Sequence, residues 1–436
     1  MVYWRFPERC RLRLPEPYRG LPRSVYVLFF ANIVNSLGNF VWPFLTLFLT
    51  DKLGMEKAEA GFFVTLSALA FAPGALLGGK LADHFGRKRT FVASRILAAL
   101  VLVPCAFLGA SRLVPWLLIM NGLLGGAVDP AIHASVADVT TRRNRQGAFA
   151  LLYLGHNLGF ALGPTLAGLL YRRHLPWLFL GDALTSLLSV VLVAAFVRET
   201  LPGRSRPEGR LEVRDVELPP LEQAEAGGVL AALWRRPAVI LFSLVMMVYS
   251  FVYVQHGFSL PVQVAELFGE RGPALYGLLM SVNAVTVVAL TTPITRATGR
   301  FDATQNIAGG GLLYAVGFGL VGVVRTVPWF VLSTVIWTLG EIVVTTNSSV
   351  YLNNHSPASH RGRFNAVADL VSGAGWALGP TVMGRLIDRS GVGAVWPLAF
   401  WLGLGGSLLM LVLWGADRPG ARSKATERRE TEPGTA

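Results

Sequence analysis

Cysteine and charge are both scarce in this chain of 436 residues. Its two cysteines, Cys10 and Cys105, form no CxxC pair, which excludes a disulfide framework and a thiolate metal site. Charged residues make up only 15% of the chain, whereas the surface of a soluble domain carries about 25–35%. A conventional soluble enzyme is therefore excluded. A nucleic-acid-binding domain is excluded too, because the net charge of +13 would need a water-exposed face to act on nucleic acid.

Hydrophobic residues, by contrast, make up 53% of the chain, before its 47 glycines are counted. They are gathered into apolar runs of about 20–28 residues, each long enough to cross a bilayer as a helix. We number twelve such spans in chain order: 24–49, 60–79, 91–110, 115–137, 147–171, 176–197, 237–264, 274–295, 304–324, 328–352, 364–384 and 393–415. The predicted fold class is an all-α membrane protein with twelve transmembrane helices.

The two halves of the chain repeat one another. The segment Gly159–Thr165 recurs as Gly375–Thr381 with a single substitution, Phe160 for Trp376. Parallel repeats of this kind are typical of transporters, so we predict two pseudo-symmetric six-helix bundles. The predicted organisation is an N-terminal arm (1–23), a first bundle (24–197), a charged linker (198–236), a second bundle (237–416) and a disordered tail (417–436).

Lysine and arginine are distributed unevenly between the segments that join the spans. Of the 39 such residues, 29 fall in the arm, the linker, the tail and the loops of one side, and nine in the loops of the other. Because cytoplasmic segments are enriched in these residues, we predict a multi-pass protein of the cell membrane with both termini in the cytoplasm. No cleavage site typical of a signal peptide follows the first apolar run.

A charged motif lies at the end of span 2. It contains Gly79, Asp83, Gly86, Arg87 and Lys88, and its first two members share a helix face because they are one turn apart. The aspartate can pair with the arginine or accept hydrogen bonds from the N–H groups of a neighbouring helix terminus. We therefore predict that this motif is a conformational latch at the cytoplasmic ends of the helices.

The motif, the twelve spans and the central linker together resemble the major facilitator superfamily. The resemblance covers nearly the whole chain. It implies that Asp83 and Arg87 brace the two bundles against each other in an outward-open state. One departure is His84, where the family usually carries arginine or lysine.

Span 5 carries a second motif, with Gly159, Gly163 and Gly168 on one stripe and Pro164 at a kink. Small residues allow close packing and bending of a helix. The motif is similar to one in the superfamily's drug/proton antiporters, where it borders the bundle interface and limits leakage. Simple small-residue packing is the alternative interpretation.

Four acids lie inside predicted spans, where ionisable residues are costly and point to function. Glu341 is the strongest candidate for a proton carrier because it lies near the middle of span 10. Asp129 has His133 one turn beyond it, and the two form either a proton relay or a local hydrogen bond. Asp369 is a further proton-coupling candidate, although it could simply meet water, and Asp182 is expected to be a cap or a loop partner.

Polar residues within the spans indicate a substrate cavity, since the resemblance implies that spans 1, 4, 7 and 10 surround one. The predicted cavity residues are Asn35, Asn39, His156, Asn157, Tyr253, Gln255 and His256. Many antiporters of the superfamily carry an arginine in span 4, which this chain lacks. Arg95 is the only basic residue well inside a span, and it lies in span 3, which is usually peripheral in the family.

Together these features predict a secondary transporter, a multidrug-type antiporter that exports a small amphipathic or hydrophobic compound in exchange for protons. The alternatives are an uptake carrier for a neutral solute such as a sugar, and a membrane receptor or scaffold that transports nothing. No nucleotide-binding loop is present, which argues against an ATP-driven pump. No HExxH, no GxSxG and no paired intramembrane aspartates are present either, so we predict no enzyme activity and no cofactor. The expected partners are a small-molecule substrate, protons and the bilayer, with no nucleic acid, and the expected state is a monomer.

Overall fold

The computed structural model describes residues 18–141, 144–201, 234–356 and 361–417. These residues form helices joined by short turns, and no strand occurs among them. Most of the predicted arm, the central part of the linker and nearly all of the tail lie outside the described residues.

In the first half, breaks divide three of the six spans. Span 1 consists of Arg23–Leu37 and Val41–Leu47, extended by a π-helical turn at Phe48–Lys52; span 2 is Lys57–Phe85; span 3 is Arg87–Leu108; span 4 is Val114–Gly126 and Val128–Val139; span 5 is Arg145–Phe160 and Gly163–Tyr171; span 6 is Pro176–Phe196.

The second half repeats this order with fewer breaks. Span 7 consists of Pro237–Tyr253, a 3-10 turn at Val254–His256, and Ser259–Phe268; span 8 is Gly272–Thr298; span 9 is Ala303–Val323; span 10 is Val327–Asn354; span 11 is Arg361–Ser390; span 12 is Val395–Asp417.

The helices coincide with the predicted spans, which confirms the all-α membrane class. In the described part of the chain, nine segments are long and apolar enough to cross a membrane, and one of them, Pro237–Thr298, contains both span 7 and span 8. Spans 5 and 11 fall outside those nine. Span 5 is broken at residues 161–162, so neither of its pieces reaches the length of a bilayer crossing by itself.

Span 2 and span 8 each contain a glycine at which the two halves approach closely. A Cβ atom on Gly61 of span 2 would meet the carbonyl oxygen of Pro380 in span 11, and one on Gly277 of span 8 would meet that of Pro164 in span 5. The two contacts are equivalent under the repeat, because the two prolines occupy the same place in the repeated motif. The glycines are therefore required for this helix approach.

Hydroxyl pairs lie beside these glycines, again in both halves. Thr165 Oγ1 and Ser281 Oγ are 2.7 Å apart, and Thr65 Oγ1 and Thr381 Oγ1 are 2.8 Å apart. Such interhelical hydrogen bonds stabilise helix contacts in membranes modestly. The predicted pseudo-symmetry is thus visible in the contacts that join the halves.

All of these contacts lie at one end of the molecule, which we call the closed end. Here Thr46 Oγ1 also donates to the Gly257 carbonyl at 3.0 Å, and the Asp388 carboxylate accepts the backbone N–H groups of Lys57 and Ala58 at 2.9 and 2.7 Å. At the other end, which carries the loop between spans 2 and 3, no hydrogen bond or ion pair joins the halves between described residues. We call this the open end.

The hydrophobic core follows the same division. Its larger cluster combines residues of both halves at the closed end, where the Phe44 ring lies 5.6 Å from Tyr171 and 5.4 Å from Tyr276 between centroids. A smaller cluster contains first-half residues only, including Ala82 and Phe91 near the open end. Burial of apolar side chains therefore holds the halves together at one end only.

Candidate substrate and proton site

Glu341 is bound by neighbours from two other spans. Asn283 of span 8 donates its amide to Glu341 Oε2 at 2.8 Å and to Thr338 Oγ1 at 3.0 Å. The Tyr253 hydroxyl of span 7 interacts with the same carboxylate. Glu341 is partly exposed, and no ion pair joins it to a basic group among the described residues. A carboxylate with neutral partners and water access can exchange a proton or bind a cationic group.

An aromatic cluster surrounds this carboxylate on the second-half side. The Tyr253 ring lies 5.7 Å from Tyr314, 5.9 Å from Trp337, 5.7 Å from Trp376 and 4.5 Å from His256 between centroids. The two rings of spans 9 and 10 are buried, whereas the other three are partly exposed. This surface can stack against the apolar or cationic part of a ligand.

The first half contributes to the same site across the cavity. Tyr153 of span 5 is 53% exposed and interacts electrostatically with Glu341. Its backbone carbonyl accepts the amide of Asn157 at 2.9 Å, so that predicted cavity residue is tied to its own helix and buried. The exposed group at this position is the tyrosine, which was not among the predicted cavity residues.

Toward the closed end, the cluster continues into a narrow apolar cavity between the halves. It is lined by Trp42, Thr46, Phe160, His256, Met280 and Trp376. Phe160 and Trp376 are the one pair of residues that differs between the two copies of the repeated motif. Both residues lie between the halves. The sequence difference between the two copies could therefore have identified Trp376 as a site residue.

The structure brings only some of the predicted cavity residues to this site. Tyr253 and His256 belong to it, as described above. Gln255 does not: it is fully buried, donating to the Phe251 carbonyl at 2.9 Å and accepting from Ser259 at 2.6 Å. His156 is exposed and borders the site from the first half: its ring stacks on Phe160 of the apolar cavity, with the centroids 5.9 Å apart, and its Nδ1 is 2.9 Å from Ser36 Oγ.

Asn35 and Asn39 lie elsewhere, in a polar pocket of about 160 Å³ inside the first half. Asp182 lines this pocket and accepts the backbone N–H of Val41 at 3.3 Å, where the second helix of span 1 begins. The carboxylate thus has the capping role expected of it. Arg95 lines the same pocket, so in this chain span 3 places a basic side chain inside the bundle rather than at its periphery.

Asp129, His133 and Asp369 are exposed. No hydrogen bond or ion pair joins Asp129 to His133 in the described part of the chain, so the predicted local hydrogen bond is not formed in this conformation, and the proton relay stays a prediction. The histidine ring instead packs edge-on against Phe149, with the centroids 5.4 Å apart. Asp369 has no hydrogen bond to another described residue, as expected of a carboxylate that meets water in the cavity.

The latch motif is held within the first half. Arg87 Nη2 lies 3.2 Å from Asp83 and its Nε 3.1 Å from Asp138, at the end of span 4. The Asp83 side chain is 76% exposed, and among the described residues it has no partner in the second half. The predicted pair with the arginine is present, and the predicted brace between the halves is not formed in this conformation.

The N–H groups at the start of span 3 are bound by Glu199, and not by Asp83 as one prediction allowed. The Glu199 carboxylate accepts the N–H of Arg87 at 2.8 Å. Burial favours a raised pKa for this carboxyl, but the N–H donors outweigh it and hold the pKa of Glu199 below its ordinary value. Gly86, with φ +112°, leaves room for the carboxylate where a Cβ atom would collide with it.

The glycines of span 5 do not form the single stripe that was predicted, because the helix is broken at residues 161–162 and they pack against two different helices. Cβ atoms on Gly159 and Gly163 would meet the backbone of span 1, with Leu37 as a shared neighbour, and one on Gly168 would lie 2.6 Å from the Pro273 carbonyl oxygen of span 8. The motif therefore borders the interface between the halves, as the family resemblance implies.

The family model of the Major Facilitator Superfamily matches residues 28–271 and 256–435, and the chain belongs to this family. It is a multi-pass membrane protein and a secondary transporter, not an enzyme. That membership also sets aside the receptor or scaffold alternative.

Several relatives are similar over most of the chain. The MFS-type transporter YqjV of Bacillus subtilis is 27% identical, covering 80% of this chain and 83% of its own. The Na(+), Li(+), K(+)/H(+) antiporter of Planococcus maritimus is 24% identical, covering 85% and 88%. The multidrug resistance protein MdtH of Escherichia coli is also 24% identical, covering 92% and 96%.

Solved structures show the same fold. A POT family transporter in complex with a thioalcohol-conjugated peptide has a TM-score of 0.74 at 17% identity, covering 92% of this chain and 98% of its own. The human organic anion transporter MFSD10 has a TM-score of 0.62 at 19% identity, covering 91% and 100%.

Proposed function

We propose that this protein exports small amphipathic or hydrophobic compounds from the cell in exchange for protons, as a multidrug-type antiporter of the cell membrane. The observation that carries the proposal is the Glu341 carboxylate, partly exposed beside an aromatic surface and bound by Asn283 and Tyr253 without a basic partner among the described residues. The rings recognise the apolar body of the substrate, while the carboxylate takes either a proton or a polar or cationic group of the substrate.

The proposed orientation has both termini in the cytoplasm. The closed end then faces outward and the open end faces the cytoplasm, so the conformation is inward-open. In this state a cytoplasmic compound reaches Glu341 and Tyr153 from the open end. The exposed Asp83 fits this assignment, because the family's latch braces the halves only in the outward-open state.

In the proposed cycle, substrate binding at the carboxylate displaces its proton to the cytoplasm, and the loaded protein opens outward. A proton from outside then replaces the substrate and returns the protein to the inward-open state. A change in the charge of Glu341 can bias the two states only if its surroundings differ between them. Tyr153 in the opposite half supplies such a difference, because it moves relative to Glu341 when the halves rotate.

Support for export and for proton coupling also comes from the relatives, which include a multidrug resistance protein and a cation/proton antiporter. In this proposal Asp129, His133 and Asp369 have a secondary role, as groups that transfer protons along the cavity. These three are exposed and unpaired among the described residues, so they can pass protons to and from water but hold no fixed relay.

The test is transport in proteoliposomes with an imposed proton gradient, screening lipophilic cations, neutral drugs and sugars. We expect wild-type protein to accumulate a lipophilic compound against its gradient, and Glu341→Gln to bind the compound without accumulating it. Glu266→Gln is the matched control, because Glu266 is exposed near the closed end of span 7. Gradient-driven accumulation by Glu341→Gln would contradict the coupling role, and sugar transport alone would favour the uptake alternative.

A further inference from the structure

The polar pocket of the first half is separate from the site around Glu341. It lies among spans 1, 2, 3, 4 and 6, and its polar lining comes from Asn35, Asn39, Ser67, Arg95, Asn121, Asp182 and Ser186. Its volume of about 160 Å³ is well above the roughly 10–15 Å³ that one water molecule requires. Nothing in the proposed exchange at Glu341 uses this pocket.

Arg95 is the most unusual member of the pocket. Its guanidinium has no hydrogen bond or ion pair with any described residue, and its Nε is buried without a partner. The nearest aromatic contact is the Phe91 ring, 5.9 Å from the guanidinium carbon. Arginines inside membrane spans normally pair with acids or carbonyls, so the structure leaves the strongest donor of the pocket available to a ligand.

Asp182 provides the opposite charge in the same pocket. Arg95 interacts electrostatically first with Asp129, an exposed residue outside the pocket lining, and then with Asp182. No nitrogen of Arg95 comes within 4.0 Å of the Asp182 carboxylate in the described structure. The contacts of that carboxylate are instead with the N–H groups of Phe40 and Val41. A positive and a negative group thus face one cavity while being held apart.

The amide groups that line the same pocket are only partly used in hydrogen bonds. The Asn39 side chain has no hydrogen bond to another described residue. Asn121 donates to the Ala98 carbonyl at 3.0 Å, which leaves its oxygen available. Asn35 accepts from Ser186 at 3.3 Å, which leaves its amide nitrogen available. Both donors and acceptors of the pocket lining are therefore available to a ligand.

We propose that this pocket binds a small zwitterion that carries a carboxylate and an ammonium group, of the amino-acid or betaine class. The carboxylate binds Arg95, the cationic group lies toward Asp182, and the asparagine amides complete the contacts. A simple anion would meet the negative charge of Asp182, and a simple cation would meet the arginine. In a low-dielectric interior, only a ligand with zero net charge and the opposite charge order satisfies both groups.

The pocket is connected to the transport pathway through the second helix of span 1. Trp42 and Leu45 of that helix line both this pocket and the apolar cavity at the closed end. Asp182 binds the first N–H of the helix, and Thr46 binds Gly257 across the halves. A zwitterion whose cationic group binds Asp182 would therefore affect the contacts that the second helix of span 1 makes at the closed end.

The test uses the full-length protein in lipid nanodiscs, with binding measured by isothermal titration calorimetry. The probes are glycine and glycine betaine, with acetate and tetramethylammonium as matched single ions. We expect saturable binding of at least one zwitterion, and binding of each single ion at least tenfold weaker. Arg95→Gln and Asp182→Asn should each weaken zwitterion binding by about tenfold or more, since each removes a charge-assisted contact.

Two control variants test whether the zwitterion binds in this pocket. Arg271→Gln removes an exposed arginine at the closed end and should bind as wild type, and Glu341→Gln should also bind as wild type, because the pocket is independent of the proposed proton site. If Arg95→Gln fails to fold, Asn39→Leu, which occupies the pocket, decides in its place. Absence of zwitterion binding, acetate binding of equal strength, or wild-type binding by the decisive variant would overturn the proposal.

Discussion

A methyl group added at Gly61 is expected to open the closed end. Gly61 has no room for a Cβ atom, because that atom would collide with the backbone carbonyl of Pro380 in the opposite half. Overpacking of a well-packed contact costs about 1–3 kcal/mol, and here the cost applies only while the closed end is closed. Gly61→Ala should therefore shift the equilibrium between the two transport states by about 5- to 150-fold toward opening of this end.

Gly373 gives the matched control, because a Cβ atom there meets nothing within 4 Å. Alanine at an unobstructed helix position stabilises the helix by about 0.5–1 kcal/mol in both states, so Gly373→Ala should leave their ratio unchanged. Gly277→Ala, the repeat equivalent of Gly61→Ala, should act in the same direction.

The assay is the distance between spin labels, with both natural cysteines first replaced by serine. One label pair, at Leu113 and Val323, reports on the closed end, and the other, at Phe85 and Phe301, reports on the open end; all four side chains are more than half exposed. Gly61→Ala should lengthen the first distance and shorten the second. Distances like those of Gly373→Ala would refute the reasoning that this glycine contact limits the closed state.

Three further variants follow from the described contacts. Asp83→Asn should leave the melting temperature nearly unchanged, since an exposed ion pair contributes about 0–1 kcal/mol. Combined with Gly61→Ala, it should reduce the shortening of the distance between the open-end labels. Shortening as large as in Gly61→Ala alone would contradict the latch. Glu199→Gln should destabilise the protein by about 1 kcal/mol through loss of its cap on span 3. Because the pKa of Glu199 is depressed in the folded protein, the difference in unfolding free energy between the wild type and Glu199→Gln should be largest above the ordinary glutamate value of about 4.5. It should disappear as the pH falls through the folded pKa. A difference that grows in acid would contradict this account. Trp376→Ala should weaken substrate binding about five- to tenfold by removing a ring from the aromatic surface. The control is Trp401→Ala, at a ring 65% exposed on span 12, which should bind substrate normally in the same titration. Equal binding by both variants would contradict the proposed surface.

The helices were predictable from the sequence, but their breaks and faces were less so. Apolar runs locate spans because a bilayer imposes a minimum length. After the break of span 1, the N–H of Val41 is bound by the Asp182 carboxylate, which lies 141 positions further along the chain. A contact at that separation has no local sequence signal.

The candidate site shows the same limit. Glu341 was identified because an acid in an apolar span is rare, and Tyr253 and His256 because polar residues cluster in span 7. Gln255 lies beside them in sequence and in the same 3-10 turn as His256, yet its side chain binds Phe251 and Ser259 of its own span. Arg95 was assigned to the periphery because the family usually has span 3 there, and the pocket it faces is formed by five helices that only tertiary packing brings together.

Competition between substrate and proton for Glu341 is the core of the proposed mechanism. It can be measured as proton release from purified, lightly buffered protein when a transported lipophilic compound is added. We predict release of about one proton per protein molecule from the wild type and from Glu266→Gln. Glu341→Gln should bind the compound and release none. Equal release from Glu341→Gln, or substrate binding by the wild type without any release, would contradict the proposed competition.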